Sequence, residues 1–420
     1  MSVGSSDEKK LNCLLNKSFV NGFDLEVNCH QLPEENLDEL AHDVYQFICE
    51  QNLSLDRLNC SLIFDSFVDR CLLRKHVKRI YLTDFHGNIP RRKSNEMNII
   101  LYKTEIDHPS IHQMMNDDEQ VNFACRWSLP HEQFESLWET LEFDLPIKCQ
   151  LIQYVFTLIR FHQANIDRTL IHSNQTILLY GPPGCGKTTL SKGLAQKVSI
   201  RMKESFDRFY FYELNASSLF SKWFSQSSQN LSRFFEDILQ ICSDPLTFII
   251  ILIDEIESLS MSRKSSLSSN EPSDMLRVVN TLLTQIDRLK SFSNILILTT
   301  SNLIEIIDQA LIDRSDLILF IGPPSIQIIF QIYRICFNEL IAKDLLRLSS
   351  TNKNQLDKQL WNLAKLSQGF SGRTLRKLPI IAFSHIQQID QFISSDELFK
   401  AMEQQLIQKK NFTNYFQQFI

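Results

Sequence analysis

The sequence has 10 cysteines, but none of them belongs to a recognisable pair. There is no C-x-x-C motif and no Cys/His spacing of the kind that binds a metal. The first residues also lack the apolar core of a secretory signal peptide. We therefore expect free thiols and a reducing compartment, because structural disulfides are typical of secreted chains.

Two further features are missing, a long apolar run and an excess of positive charge. No segment approaches the ~20 uninterrupted apolar residues that cross a membrane, and the longest run, residues 248–253, has the length of a strand. The 43 Lys and Arg residues are outnumbered by 49 Asp and Glu residues, which gives a net charge of −6. The sequence therefore predicts no membrane span and no direct binding of nucleic acid through a basic surface.

The chain is long enough for several domains. It has 420 residues, 43% of them hydrophobic, and a domain takes roughly 150 residues. Apolar residues recur at helical spacing between Leu37 and Ile48, and residues 98–102 have a strand pattern. We interpret residues 1–120 as a mixed α/β N-terminal domain that ends in a polar linker at residues 116–120.

Residues 125–323 alternate strands with helices, a pattern typical of a parallel sheet covered on both faces. Strands are predicted at residues 176–180, 209–214, 248–253, 295–299 and 317–321. Residues 324–420 have a helical pattern, with helices predicted at residues 327–341, 355–366, 373–385 and 395–408. The predicted fold is thus an α/β core followed by a small helical domain.

The most specific motif is GPPGCGKT at residues 181–188, which lies between a strand pattern and a helix pattern. This order fits the G-x-x-x-x-G-K-[ST] P-loop, whose glycines let backbone N–H groups turn toward a phosphate. Lys187 is predicted to reach the β- and γ-phosphates, and Thr188 to hold Mg²⁺. The predicted nucleotide-binding residues are Gly181, Pro182, Pro183, Gly184, Cys185, Gly186, Lys187, Thr188 and Thr189.

Polar residues at later positions supply candidate catalytic groups. The apolar run of the third predicted strand ends in Asp254, predicted to bind Mg²⁺, and Glu255, predicted to polarise the attacking water. Asn302 follows the next strand and is predicted to orient the water or to contact the γ-phosphate. Arg314 and Arg373 are candidates for stabilising the charge of phosphoryl transfer. Taken alone, Asn302 fits an ordinary strand-end turn, and either arginine fits a surface salt bridge.

These motifs, in this order, resemble those of the AAA+ ATPases. Walker A corresponds to residues 181–188, Walker B to residues 250–255, sensor 1 to Asn302, the arginine finger to Arg314 and sensor 2 to Arg373. From about residue 125 to about residue 390 the chain more closely resembles the pachytene checkpoint protein 2 family, the thyroid-receptor-interacting-protein-13-like remodellers. The supporting motifs are WSLP (127–130), FSKWFS (220–225), EPSD (271–274), RVVN (277–280), LTQID (283–287), LTTSN (298–302), IGPPS (321–325), SGR (371–373) and LRKLP (375–379).

The resemblance implies a homo-hexameric ring that uses ATP and Mg²⁺ to switch the conformation of a HORMA-domain protein, in some cases presented by an adaptor. It implies that residues 1–120 recognise the substrate or adaptor, that residues 125–323 and 324–420 are the large and small ATPase subdomains, and that the chain acts in the nucleus on chromosomes and also in the cytoplasm. The family's roles are meiotic chromosome-axis remodelling, recombination control and spindle-checkpoint silencing.

The resemblance also assigns Lys222, Trp223 and Phe224 to a loop in the central pore that grips the substrate. Two exposed aromatics would suit such a grip, although the pattern alone fits core residues equally well. The chain departs from the family at residues 226–229, where QSSQ replaces the usual Glu, Ser, Gly and Lys. Cys185 stands where threonine is common, and a thiol at a helix N-terminus predicts sensitivity to oxidation.

Two alternative functions share the same nucleotide motifs. A nucleic-acid motor or clamp loader is disfavoured by the acidic charge balance and by the aromatic character of residues 220–225. A non-enzymatic scaffold that only binds nucleotide is disfavoured by the intact set of Asp254, Glu255, Asn302 and Arg314.

Overall fold

The computed structural model describes residues 24–30, 32, 37–50, 61–63, 76–83, 98–115, 120–144, 146–167, 170–216, 224–258, 273–348, 353–386 and 393–417. The chain divides into two compact units. The core unit comprises residues 1–139, 147–179 and 188–319, and the lid unit comprises residues 140–146, 180–187 and 320–420. Residues of the P-loop motif therefore belong to both units.

The N-terminal part of the core unit is a small mixed sheet with one described helix. The strands are β1 (Asp24–Cys29), β2 (Ser61–Ile63), β3 (Val77–Thr83) and β4 (Asn98–Lys103), and the helix is α1 (Leu37–Glu50). The strand order is β2-β3-β1-β4, with β1 antiparallel to β3 and parallel to β4. Helix α1 buries Leu40, Ala41, Val44 and Phe47. This arrangement confirms the predicted mixed α/β character.

The rest of the core unit is built on a seven-stranded sheet. Its strands are β5 (Ser110–Met115), β6 (Gln120–Leu129), β7 (Thr176–Tyr180), β8 (Arg208–Asn215), β9 (Thr247–Asp254), β10 (Ile295–Ser301) and β11 (Leu317–Phe320). The order is β11-β7-β10-β9-β8-β6-β5, and β8, β9 and β10 run parallel. The five predicted strands and the parallel core sheet are confirmed.

The antiparallel edge of this sheet was not predicted. Strand β6 pairs antiparallel with β8, and β5 pairs antiparallel with β6. From the sequence, the residues of β5 were predicted to belong to the N-terminal domain. The prediction missed the core sheet because nothing in the local pattern of β5 indicates which sheet it joins. Of the predicted linker, residues 116–119 lie outside the described residues and Gln120 opens β6.

The core of this unit explains its apolar strands. Residues 248–253 of β9 are at most 2% exposed, because helices cover both faces of the sheet, and a strand buried on both faces has no polar alternation.

The helices of this part are α2 (Leu137–Thr140), α3 (Ile147–Gln163), α4 (Lys187–Arg201), α5 (Phe224–Cys242), α6 (Ser273–Leu289) and α7 (Gln309–Ile312). No helix among the described residues has the length and apolar character needed to span a membrane.

A buried group of charges lies between the N-terminal sheet and helix α4, all within the core unit. Glu26 of β1 is fully buried and pairs with Lys197 and with Arg201, whose Nε donates to Glu26 Oε1 over 2.8 Å. Lys197 also pairs with Glu139. Burial raises the pKa of Glu26, but the two cations outweigh it and hold that pKa below its ordinary value.

The lid unit is helical, as predicted. It contains α8 (Ile326–Ala342), β12 (Leu346–Arg347), α9 (Lys353–Leu366), α10 (Gly372–Ser384), β13 (Ile393–Ser394) and α11 (Ser395–Gln417). Strands β12 and β13 form a short parallel pair. The helices enclose their own apolar cluster, in which the rings of Phe337 and Phe399 stack with centroids 4.8 Å apart. Helix α11 continues to Gln417, beyond the predicted end at residue 408.

Candidate active site

The P-loop has the backbone conformation that its glycines predict. Gly181, Gly184 and Gly186 have φ values of +146°, +78° and +99°, in the region that other residues rarely adopt. A Cβ on Gly181 would lie 2.1 Å from the carbonyl oxygen of Ile321, and a Cβ on Gly184 would lie 2.8 Å from Ser371 Oγ. The loop is therefore closely surrounded within the lid unit and tolerates no side chain at these two positions.

Lys187 is held inside the loop. It is 6% exposed, and its Nζ donates to the carbonyl oxygens of Gly181 at 2.6 Å and Pro182 at 3.0 Å. The ammonium group is thus placed among the loop residues that would surround a phosphate. Pro182 and Thr189 are half-buried, and Pro183 is exposed.

Cys185 is buried in the loop and is 7% exposed. Burial raises the pKa of its thiol, although the Lys187 ammonium opposes this effect. Because the thiolate is the form that reacts with oxidants, the structure argues against the predicted sensitivity of Cys185 to oxidation.

Thr188 and Asp254 meet at the end of β9. Thr188 Oγ1 donates to Asp254 Oδ1 over 2.8 Å. The hydroxyl of Thr300, at the end of β10, donates to the same carboxylate oxygen and accepts the backbone N–H of Glu255 at 3.1 Å. No role was predicted for Thr300, whose role becomes visible only once β9 and β10 are aligned side by side.

Glu255 follows directly and has an unusual backbone. Its φ is +57°, in the left-handed region that costs a non-glycine residue free energy. Its side chain is exposed, whereas those of Ile256 and Glu257 after it are buried. The backbone N–H of Ile256 donates to the carbonyl oxygen of Thr300 over 3.0 Å. The β9 end is thus attached to β10 on both sides of the Glu255 side chain.

Asn302 is hydrogen-bonded to Glu257, an acidic residue that was not predicted to belong to the site. Its backbone N and its Nδ2 donate to Oε1 of Glu257, at 3.1 and 2.8 Å. Glu257 is 7% exposed. A signal for Glu257 was present, since a third acidic residue follows a buried strand in DEIE, but acidic residues after strands are common.

Arg314 is engaged by Asp287 of α6. Its Nε and Nη2 donate to the two carboxylate oxygens at 3.0 and 2.8 Å, and its Nη1 donates to the carbonyl oxygen of Ala310 at 2.8 Å. These hydrogen bonds from Arg314 hold the pKa of Asp287 below its ordinary value despite partial burial. Within the chain, Arg314 therefore has the salt bridge that is the default for an isolated arginine.

Arg373 lies beside the P-loop in the lid unit. Its backbone N–H donates to the carbonyl oxygen of Gly184 over 3.0 Å, at the start of α10. Ser371 caps this helix by accepting the backbone N–H of Thr374 at 3.4 Å. The exposed side chain of Arg373 therefore projects from a backbone that is hydrogen-bonded to the P-loop.

The predicted pore-loop residues are mostly outside the description. Lys222 and Trp223 lie outside the described residues, and Phe224 is the first residue of α5, with no description of its side chain.

Among the described residues, no group of three or more His, Cys, Asp and Glu side chains could hold a metal ion. A Mg²⁺ ion that is held largely by phosphates needs no such group, since one or two protein ligands suffice.

Comparisons with known proteins identify the family of this chain. Residues 177–323 match the ATPase family associated with various cellular activities (AAA), and residues 346–410 match the TRIP13-like AAA+ ATPase lid C-terminal domain. The chain is 35% identical to a pachytene checkpoint protein 2 homolog of Xenopus tropicalis, covering 94% of this chain and 96% of that protein. It is also 35% identical to the Homo sapiens homolog, over 87% and 91% of the two chains.

The fold of this chain also resembles those of solved structures. C. elegans PCH-2 has a TM-score of 0.74 and 27% identity, covering 93% of this chain and 100% of that chain. A chain of the E. coli MS115-1 HORMA:CdnC:Trip13 complex has a TM-score of 0.54 and 16% identity, covering 67% and 95%, which supports the fold alone. On the identity over nearly its whole length, this chain belongs to the pachytene checkpoint protein 2 family of AAA ATPases.

Proposed function

We propose that this chain hydrolyses ATP as a homo-hexamer and uses the energy to switch the conformation of a HORMA-domain protein. The observation that carries the proposal is the pair of acidic residues at the end of β9, with Thr188 bonded to Asp254 and Glu255 exposed beside it. A scaffold that only binds nucleotide has no need of that second carboxylate.

The residues fit a Mg²⁺-bound triphosphate. The positive φ values of the loop glycines leave room for phosphate oxygens, and Lys187 supplies the cation. Thr188 and Asp254 offer the oxygen ligands that Mg²⁺ prefers, and the ion when bound neutralises charge on the phosphates. Nucleotide binding would draw Lys187 Nζ away from the carbonyl oxygens of Gly181 and Pro182, because a charged phosphate is the stronger acceptor.

Glu255 polarises the water that attacks the γ-phosphate in this proposal, and Asn302 orients that water. Arg314 acts on the nucleotide of a neighbouring subunit, where its guanidinium stabilises the charge of phosphoryl transfer. Arg373 reports the state of the phosphates to the lid, because its backbone is bonded to Gly184. Triphosphate and product would then favour different arrangements of the two units.

The substrate is inferred from the family. A solved structure of similar fold is named as a complex of a HORMA protein with Trip13, and the relatives are pachytene checkpoint proteins. We extend this to a HORMA-domain substrate that is gripped by Lys222, Trp223 and Phe224. Residues 1–120 would recognise that substrate or its adaptor. The protein would act on nuclear chromosomes and in the cytoplasm. Its roles would be meiotic chromosome-axis remodelling, recombination control and spindle-checkpoint silencing.

The first experiment measures ATP hydrolysis by the full chain with and without a HORMA-domain protein from the same organism. Glu255→Gln is the blank, which should bind ATP and lose hydrolysis. Stimulation by the HORMA protein that disappears in the blank supports the proposal. Stimulation by DNA instead, with a steep salt dependence, would favour a nucleic-acid motor.

A second experiment separates the pore from the ATPase site. Trp223→Ala should keep most of the basal ATPase rate and lose the ability to convert the HORMA protein between conformers. Conversion is measured as a shift in the elution of the HORMA protein in ion-exchange chromatography. Retained conversion would refute the assignment of Trp223 to the pore.

A mixing experiment tests whether Arg314 acts across subunits. Arg314→Ala and Glu255→Gln chains are each inactive alone, but mixed rings contain junctions in which an intact Arg314 faces an intact Glu255. Partial recovery of ATPase activity on mixing supports action in trans, and no recovery argues against it.

A further inference from the structure

We propose that Glu257 is a positioning residue for ATP hydrolysis, which fixes the orientation of the Asn302 side-chain amide. The inference rests on the proposed function of Asn302 as the residue that orients the attacking water. It concerns the carboxylate that lies two positions after Glu255 in the sequence.

The contact is a two-point attachment. One oxygen of Glu257, Oε1, accepts the backbone N–H of Asn302 at 3.1 Å and the side-chain Nδ2 at 2.8 Å. Both the main chain and the side chain of Asn302 are therefore tied to a single atom. Glu257 itself cannot swing away, because it is 7% exposed and follows the buried Ile256.

The chemistry of Glu257 and Asn302 determines which end of the Asn302 side-chain amide faces the carboxylate. A carboxylate accepts hydrogen bonds and does not donate them, so the NH₂ end of Asn302 must face Glu257. The carbonyl end, Oδ1, is then the end that can accept an O–H of the attacking water, while Glu255 accepts the other. Asn302 takes no proton in this arrangement, and Glu257 affects the rate only by keeping Oδ1 correctly oriented.

The second oxygen of Glu257 adds a cost to stability. In the part of the chain that the structure describes, Oε2 is buried and has no hydrogen-bond partner. A buried, unpartnered carboxylate oxygen is unfavourable for folding. Such a cost is expected where a residue serves catalysis.

The test uses Glu257→Met in the full chain, with Glu257→Gln as the conservative variant. Methionine has a similar length but no oxygen, so kcat should fall roughly tenfold to a hundredfold, while KM for ATP and the affinity for a fluorescent ATP analogue change little. Glu257→Met should lower the Tm by a few degrees, because the backbone N–H and Nδ2 of Asn302 lose their acceptor, and the assay is run well below the Tm of both variants. Glutamine keeps an accepting oxygen and should restore kcat to within a few-fold of the wild-type chain.

Two controls distinguish positioning from a general structural role. Glu305→Met changes an exposed glutamate three residues after Asn302 and should leave kcat unchanged. In an Asn302→Ala background, Glu257→Met should add almost no further loss of kcat, because the residue acts through Asn302.

The outcomes separate the inference from the function on which it rests. Losses that add in the double variant, a KM for ATP that rises as steeply as kcat falls, or no recovery with glutamine would each overturn the positioning role. An active wild-type chain with an unaffected Glu257→Met would do the same and leave the proposed function intact. A wild-type chain that hydrolyses no ATP would overturn both.

Discussion

At the scale of single residues, the geometry of Arg314 is set by Asp287. Two hydrogen bonds from Nε and Nη2 to the two oxygens of one carboxylate hold the planar guanidinium in one orientation, which a lysine ammonium cannot reproduce. The side chains of Arg314 and Asp287 are 27% and 40% exposed, so a neighbouring subunit of the proposed ring would have access to this pair. Asp287 therefore belongs to the arrangement that presents the arginine.

Asp287→Asn should weaken this presentation. The amide can accept only one hydrogen bond through its single oxygen and its NH₂ group repels the guanidinium, so we expect kcat to fall roughly tenfold with ATP affinity unchanged. The measurement is steady-state ATPase together with binding of a fluorescent ATP analogue. Arg314→Lys, which keeps the charge but loses the fork, should behave like Arg314→Ala. A Lys variant with wild-type kcat would show that the bidentate geometry is unimportant.

Cys185 supports a second prediction at this scale. Because the thiol is buried and its pKa is raised, little thiolate is available at neutral pH. ATPase activity should therefore survive peroxide concentrations that inactivate enzymes with exposed low-pKa cysteines, and Cys185→Thr should not alter the response. Inactivation by peroxide that the threonine variant prevents would contradict this reading.

At the scale of elements, the P-loop and the start of helix α10 form one structural piece. The carbonyl oxygen of Gly184 accepts the backbone N–H of Arg373, and Ser371 lies against the Cα of Gly184. A change of loop shape on nucleotide binding would therefore pass directly to the lid helix through backbone atoms.

Gly184→Ala should break this connection. The new Cβ would lie 2.8 Å from Ser371 Oγ and 3.3 Å from the Cβ of Arg373, at a φ of +78° that disfavours alanine. We expect affinity for ATP to fall at least tenfold. Gly369→Ala is the matched control, because its φ of +91° is equally unsuited to alanine but no atom beyond the adjacent residues lies within 4 Å of the new Cβ. It should lose about 1 kcal/mol of stability and keep its nucleotide affinity.

At the scale of the whole molecule, the charges around Glu26 tie the N-terminal sheet to helix α4, whose first residue is Lys187. Glu26→Gln would leave Lys197 and Arg201 buried with one carboxylate fewer, and removing one partner of a buried pair costs about 3–5 kcal/mol. Urea unfolding should show this loss. Glu132→Gln removes an exposed carboxylate paired with Lys78 at 2.5 Å, and should leave the unfolding midpoint nearly unchanged.

The same cluster predicts acid lability. The pKa of Glu26 is lowered in the folded chain, so its ionisation stabilises the fold fully above the ordinary glutamate pKa. That contribution is lost as the pH falls through the lower folded value, from about pH 5 downward. Wild-type stability should therefore decline more steeply than that of Glu26→Gln over this range. Parallel curves for the two proteins would exclude Glu26 as the cause.

The sequence by itself determined the nucleotide-binding core and the helical lid. The P-loop, the apolar run before Asp254 and Glu255, and the helical periodicity after residue 324 are local signals, because each depends on neighbours only a few positions away. The same holds for the positive φ values of Gly181 and Gly184, which the loop conformation requires.

Only the tertiary structure decided which polar groups are partners. Glu257 and Asn302 are 45 positions apart, Asp287 and Arg314 are 27 apart, and Glu26 and Lys197 are 171 apart. Their pairing depends on how β9 lies beside β10 and on how the N-terminal sheet meets α4, as does the place of β5 at the edge of the core sheet. The sequence does not reveal which partner an acidic residue has. A hydrogen bond of about 3 Å identifies that partner, and it forms only when two distant segments are folded against each other.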